Sequence, residues 1–251
     1  MTREAIAEAA ALLLGARRSG VLVERLPPSC RPANVAEALA IQDAVFAALG
    51  DGAAGWKVGA PVEGTLVRGI LLRSRAFASP ARIPAQSVPM LGVEAEIAFR
   101  FERDMPPRER DYDYAEVAAA VTALPAIEIV DSRFRSYRDT PLLDRVADFV
   151  SNGAFVAGNP QPRWREHDLS RISVRLVIDG ELIASGVGGH PAGDPLLPAV
   201  LLVNALREKG GVGEGAIATT GTYTGLNYAK PGQTVTAAFT GFGAAEVHFT
   251  D

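Results

Sequence analysis

The chain has 251 residues, 48% of them hydrophobic, enough to bury a large core in one big domain or in one domain with a smaller appendage. Its formal net charge of −4, with no lysine-rich run and no stacking aromatic platform, gives no general attraction to phosphate backbones and argues against nucleic acid as a partner. The apolar stretch from Ala5 to Leu14 is broken by Glu8 and lacks a basic leader or cleavage pattern, and no run of about 18 apolar residues follows; a cytoplasmic protein without membrane contact is expected.

Apolar positions recur at helical spacing over residues 2–18 and 34–49, the second run opened by Asn34 as N-cap and closed by Gly50. Cys30, the lone cysteine, allows no intrachain disulfide and has no zinc-ligand spacing, which fits a reducing compartment. Gly55-Trp56-Lys57-Val58-Gly59 reads as a short strand, and residues 60–90, rich in proline and glycine, read as a meandering connection with a domain boundary inside it. Strands follow over residues 91–101 and 125–131, separated by a helix over 114–123 that Asp113 caps with Glu116 as reciprocal partner. Ser173–Ile178 and Glu181–Ala184 flank Asp179-Gly180, whose tolerance of positive φ predicts a hairpin turn. Asp194 caps a helix running to Lys209 with Gly210 and Gly211 at its end, and Ala216–Thr220, Thr234–Phe239 and Ala244–Phe249 complete an antiparallel-rich sheet system.

The chemistry concentrates in two apolar strands. In Val93-Glu94-Ala95-Glu96-Ile97 the two-residue repeat puts Glu94 and Glu96 on one face and the apolar residues on the other, while Glu128 interrupts Ala126-Ile127-Glu128-Ile129-Val130. Like charges on adjacent same-face positions repel, and partial burial raises the cost, so a compensating cation is expected. Oxygen-only ligands favour Mg²⁺ or Mn²⁺ over zinc, with positions left for water and a chelating substrate. The plainer reading makes these acids solvent-facing partners for some of the 22 arginines that remain when Lys57, Lys209 and Lys230 are taken from the 25 basic residues.

Lys57, between two glycines in an apolar strand, is either an active-site cation held by carboxylates or a strand-end lysine reaching for water. Asp131 and Arg133 fit a structural ion pair at a strand end. The stretch Ser185–Asp194 lacks the spacing of phosphate-binding loops and reads as a connection in which His190 is a turn residue. No GxSxG elbow is present, which disfavours a serine hydrolase.

Taken together, Gly55–Gly59, Val93–Glu96, Pro125–Ser132, Ala147-Asp148 with Ser151, and Thr219–Thr222 resemble the 2-keto-4-pentenoate hydratase and 4-oxalocrotonate decarboxylase branch of the fumarylacetoacetate hydrolase superfamily, over nearly the whole chain and in the family's order. The resemblance implies an α+β fold, with a helical N-terminal segment and first core strand over 1–75 and a mixed, β-rich catalytic core over 76–251. It also implies a Mg²⁺ or Mn²⁺ ion and a homo-oligomer. Carried over by residue, it makes Glu94, Glu96 and Glu128 metal ligands and Lys57 a catalytic lysine. Asp148 becomes a catalytic residue orienting Lys57 or a water, and Ser151, Thr220 and Leu72 become substrate-binding. The chain departs from the family at Phe149, where an asparagine is usual, and at Arg73-Ser74, where an acidic pair or Asp-Met is usual.

The implied activity is hydration of a 2-hydroxy-dienoate to a 4-hydroxy-2-oxo acid in degradation of aromatic compounds. The alternatives are decarboxylation of a 2-oxo acid, C–C hydrolysis of an acylpyruvate, and a catalytically silent small-carboxylate binder or partner subunit.

Overall fold

The computed structural model describes residues 1–251. Helices α1 (Arg3–Ser19) and α2 (Val35–Leu49) are capped by Thr2 and Asn34, whose side chains accept from the amides of Ala5 and Glu37, and end at Gly20 and Gly50 in left-handed conformations. Then come β1 (Ala53–Val58), β2 (Arg68–Leu72), β3 (Ala76–Ala78), β4 (Ala81–Pro84), β5 (Gly92–Phe101), α3 (Tyr114–Ala118), β6 (Val121–Val130), α4 (Leu142–Ala147) and β7 (Asn152–Ala157). The chain closes with β8 (Ser173–Ile178), β9 (Glu181–Val187), α5 (Leu197–Leu206), β10 (Ile217–Thr222), β11 (Asn227–Tyr228), β12 (Thr234–Phe239) and β13 (Gly243–Thr250).

Two sheets form. The larger runs β2-β1-β10-β5-β6-β7-β3, with β11 added to the end of β5, and the smaller runs β4-β13-β12-β8-β9. Most pairs are antiparallel; β1 with β10, β3 with β7 and β4 with β13 are parallel. The main core lies between the sheets, built from Val93, Ile97 and Phe99 of β5, Ile127 and Ile129 of β6, and inward residues of β8, β12 and β13. The opposite face of β5 and β6 therefore carries Glu94, Glu96 and Glu128, as the two-residue repeat predicts. Helices α1 and α2 pack on their own core, which takes in Ile70 and Leu72 on one side of residue 75 and Phe134, Val146 and Phe149 on the other.

Several boundaries differ from the sequence reading. The helix expected over 114–123 stops at Ala118, although its capping box of Asp113 and Glu116 forms as expected. From Val121 the chain instead pairs with β5 over ten residues, because β-branched Val121 and Thr122 ahead of Pro125 favour extended backbone and the apolar side chains find partners there. The supposed meander over 60–90 holds the short strands β2, β3 and β4, with Pro61, Gly64, Pro80 and Pro89 outside them and Gly69 and Pro84 within β2 and β4. The Asp194 carboxylate accepts from the Leu196 amide in a tight turn, so the helix behind it begins only at Leu197 and ends at Leu206. Helix α4 and strand β7 carried no clear periodic signal.

Candidate metal centre

Pairing of β5 with β6 sets Glu94 directly opposite Glu128, with Glu96 one repeat further along β5 on the same face. Oxygens from the three carboxylates lie within 4.8 Å of one another. Glu96 and Glu128 are fully buried, and Glu94 is partly exposed at the edge of a cavity. Strand β1 brings the cation. Gly55 has φ of 152°, and a Cβ there would fall 1.9 Å from the Ile217 carbonyl oxygen, so only glycine lets β1 lie this close to β10. Two residues on, the Lys57 ammonium lies 2.9 Å from Glu128 Oε1 and 3.7 Å from Glu94 Oε2.

Backbone and hydroxyl donors hold the acids from the other side. The register between β10 and β5 slips between Thr219 and Thr222, and the resulting bulge aims the Gly221 amide at Glu96 Oε2, 3.2 Å away. The Thr219 hydroxyl donates to the same oxygen. Asn152, the first residue of β7, donates its side-chain amide to Glu128 Oε1 at 3.1 Å.

Charge is unbalanced here. Burial, then Glu128 and Glu94, push the Glu96 carboxyl well above its usual range, against the opposing pull of Lys57 and Thr219. Burial likewise raises Glu128, although Lys57 works against it. Desolvation would lower the Lys57 ammonium, but Glu128, Glu94 and Glu96 outweigh it and hold it protonated above the ordinary lysine range. One oxygen of each buried acid, Glu96 Oε1 and Glu128 Oε2, has no hydrogen-bond partner. Orphaned carboxylate oxygens beside a charge excess are what a hard divalent cation would satisfy, so the residues present fit an oxygen-ligated metal.

Above the acids opens a cavity of about 420 Å³. Lys57, Glu94, Glu96 and Thr220 line it, together with Tyr137 and one face of α5. Thr220, expected to bind substrate, lines the cavity, and its hydroxyl donates to the Ile97 carbonyl at 3.1 Å.

Three other expected residues lie elsewhere. Leu72 is buried in the helical core and does not reach the cavity. Asp148, expected to orient Lys57 or a water, is the hub of a second buried cluster: its Oδ1 accepts from Arg17 Nη2 at 2.9 Å and Arg133 Nε at 2.6 Å, and its Oδ2 from the Arg133 amide at 3.0 Å. Arg133 also pairs with Asp131, as the sequence suggests. Ser151 is buried, with its hydroxyl unpartnered and away from the cavity.

The physical reason is the backbone between Asp148 and Ser151. Phe149, Val150 and Ser151 have φ of 56°, 52° and 57°, a left-handed turn of three non-glycine residues. It swings Asp148 toward the arginines and delivers Asn152 to Glu128. Arg133 Nη2 brackets the turn by donating to the carbonyls of Asp148 and Asn152. Gly69 on β2 lets the turn pack tightly, since a Cβ there would lie 2.1 Å from the Phe149 carbonyl oxygen. The sequence reading missed Asn152, Thr219 and Tyr137. The available signals were Thr219's place in the Thr219–Thr222 motif and a lone amide at the head of the apolar run Gly153–Ala157.

No protein-family model matches the chain. A 2-keto-4-pentenoate hydratase of Burkholderia vietnamiensis is 30% identical over 98% of this chain and 98% of its own length. A protein of the same name from Paraburkholderia phymatum is 33% identical over 73% of this chain and 70% of its own. Among solved structures, 4-oxalocrotonate decarboxylase from Pseudomonas putida G7, complexed with magnesium and adipate, shares the fold with a TM-score of 0.86 at 23% identity, covering 99% of this chain and 98% of that one.

Proposed function

We propose that this chain, which belongs to the 2-keto-4-pentenoate hydratase and 4-oxalocrotonate decarboxylase branch of the fumarylacetoacetate hydrolase superfamily, hydrates a 2-hydroxy-dienoate to a 4-hydroxy-2-oxo acid with a divalent cation. The observation that carries the reading is the convergence of Glu94, Glu96, Glu128 and Lys57 beneath one cavity, in a chain similar to a hydratase from end to end.

Glu94, Glu96 and Glu128 would hold the ion, Mg²⁺ or Mn²⁺ by the hardness of an all-oxygen set. The bound ion would supply Lewis acidity to a 2-oxo acid's carbonyl and carboxylate oxygens and offset the negative charge that develops there. The protein's own groups do the rest. Lys57, held among its acidic neighbours at the cavity, is suited to gripping the substrate carboxylate or moving a proton at the substrate carbon. Thr219 and the Gly221 amide fix the carboxylate of Glu96, and Asn152 fixes that of Glu128, so these ligands need no reorganisation when substrate arrives. Thr220 and Tyr137 line the path by which substrate and water enter. The acids with orphaned oxygens make a silent binder the poorer account, because an inert pocket has no use for buried unpaired charge.

Decarboxylation of a 2-oxo acid is the second reading, favoured by the close fold match to the Pseudomonas putida decarboxylase. A cytoplasmic homo-oligomer is part of the proposal; no helix is long and apolar enough to cross a membrane. Incubation with 2-hydroxypenta-2,4-dienoate and Mg²⁺ is expected to abolish the dienoate absorbance, and EDTA to prevent that. Absence of turnover with metal present, alongside CO₂ release from 4-oxalocrotonate, would transfer the assignment to decarboxylation.

A further inference from the structure

The cavity above the acids is two-faced. Its floor is ionic, whereas its walls include Val58, Pro61, Tyr137, Leu197, Pro198 and Leu201. Leu197 and Leu201, one helical turn apart on α5, are each 43% exposed, so a leucine stripe faces open space beside the charged floor. Lys57 is the only cationic side chain lining the cavity, and Glu128 and Glu94 already engage it. A volume of about 420 Å³ lies within the roughly 300–1,000 Å³ of pockets that enclose drug-sized ligands, so a short-chain acid on the floor leaves the leucine wall untouched.

We propose that the site takes 2-oxo and 2-hydroxydienoic monocarboxylates whose far end carries an extended apolar group, alkyl or aryl, lying along Leu197 and Leu201, and that it rejects diacids. This rests on the reading that a 2-oxo acid is held at the acid floor. One carboxylate has a place there, near Lys57 and the cation that the three glutamates would bind. A second, at the far end, would give up part of its water against leucine and proline with no cation to pair it. An alkyl or aryl tail meets the opposite condition, since covering the leucines removes apolar surface from water on both partners.

The test is calorimetric titration of the Mg²⁺-loaded full chain with saturated 2-oxo acids, which cannot be hydrated: 2-oxobutanoate, 2-oxohexanoate, 2-oxooctanoate and the diacid 2-oxoadipate. Affinity is expected to rise about threefold per added methylene, and 2-oxoadipate to bind at least about tenfold more weakly than 2-oxohexanoate. Leu201 is exposed on the helix, so Leu201→Ala and Leu201→Lys are expected to keep the fold. The first should weaken 2-oxooctanoate binding while sparing 2-oxobutanoate, and the second should turn the preference toward 2-oxoadipate. Metal-dependent binding with no trend along the series, or with the diacid bound as well as the monoacid, overturns this inference and leaves the 2-oxo acid reading standing. If no 2-oxo acid binds in a metal-dependent way, the reading falls and the inference with it.

Discussion

Two buried ionic clusters stand on either side of the turn at residues 149–151, and they are built on opposite principles. Around Asp148, two aspartates meet two arginines, Arg17 and Arg133, and every oxygen of Asp131 and Asp148 has a donor: Met90 and Arg133 for the first, Arg17 and Arg133 for the second. Around Glu128, three carboxylates meet one ammonium, and two buried oxygens are left without a partner. The first cluster is closed in the sense that it balances its charges inside the fold and pairs every carboxylate oxygen, with Arg17 Nε its one unpartnered atom. The second is open: its imbalance is relieved either by protons on the buried acids or by a cation bound from outside. Buried charge alone therefore does not identify a site; unmatched buried charge does.

Removing one acid from each cluster separates the two principles. Asp148→Asn leaves Arg17 buried without its acid and Arg133 with Asp131 alone, which should cost about 3–5 kcal/mol of stability and lower Tm by roughly 10 °C, while Mg²⁺ affinity of the folded protein changes little. Glu96→Gln should do the reverse. Metal affinity and turnover fall at least about a hundredfold, more than loss of an outer partner usually causes, yet the metal-free protein melts no lower and even higher, since a buried acid that must either hold a proton or bear a charge is gone. Melting curves and metal titrations on the two variants check both; a large Tm loss in Glu96→Gln would mean that the acid trio is closed after all. Asn152→Ala comes next, with a tenfold to hundredfold loss of metal affinity, because Glu128 would lose the donor that orients it.

The open cluster was far more legible in the sequence than the closed one. Alternation along Val93–Ile97 fixes which face Glu94 and Glu96 share without knowledge of any partner strand, and the apolar run around Glu128 makes its neighbouring strand the natural place for the third acid. The arginine partners of Asp148 could not be read from the sequence, because a motif lists which residues travel together and not where the backbone turns them. Three successive left-handed residues, among them β-branched Val150, follow no local preference, and they exist because Arg133 clamps the turn at both ends. The second partner, Arg17, lies 131 positions away on α1, beyond any local pattern. The same blindness hid the β6 start, where pairing with β5 overrode a helix that its capping box favours.

The pH dependence of melting gives the finest comparison. In the metal-free protein burial raises the carboxyls of Glu96 and Glu128, so the folded state holds their protons more tightly than the unfolded chain does. Their contribution to stability is complete below the unfolded carboxyl value of about 4.3 and is lost as pH rises through the folded values. Lys57 is raised as well, but a lysine raised from its ordinary value stays charged throughout this window and adds no slope. A divalent cation must displace the protons of Glu96 and Glu128, so the gap in Tm between samples with Mg²⁺ and with EDTA should widen from roughly pH 5 to pH 8. In Glu96→Gln one of the two titrating acids is gone, and both the slope of the metal-free curve and the widening of the gap should shrink. Asp148→Asn should melt lower at every pH while keeping the widening intact, because its carboxylate belongs to the closed cluster. A gap that stays constant with pH in the unsubstituted protein would show that the cation does not compete for protons on the buried acids, and would place its ligands elsewhere.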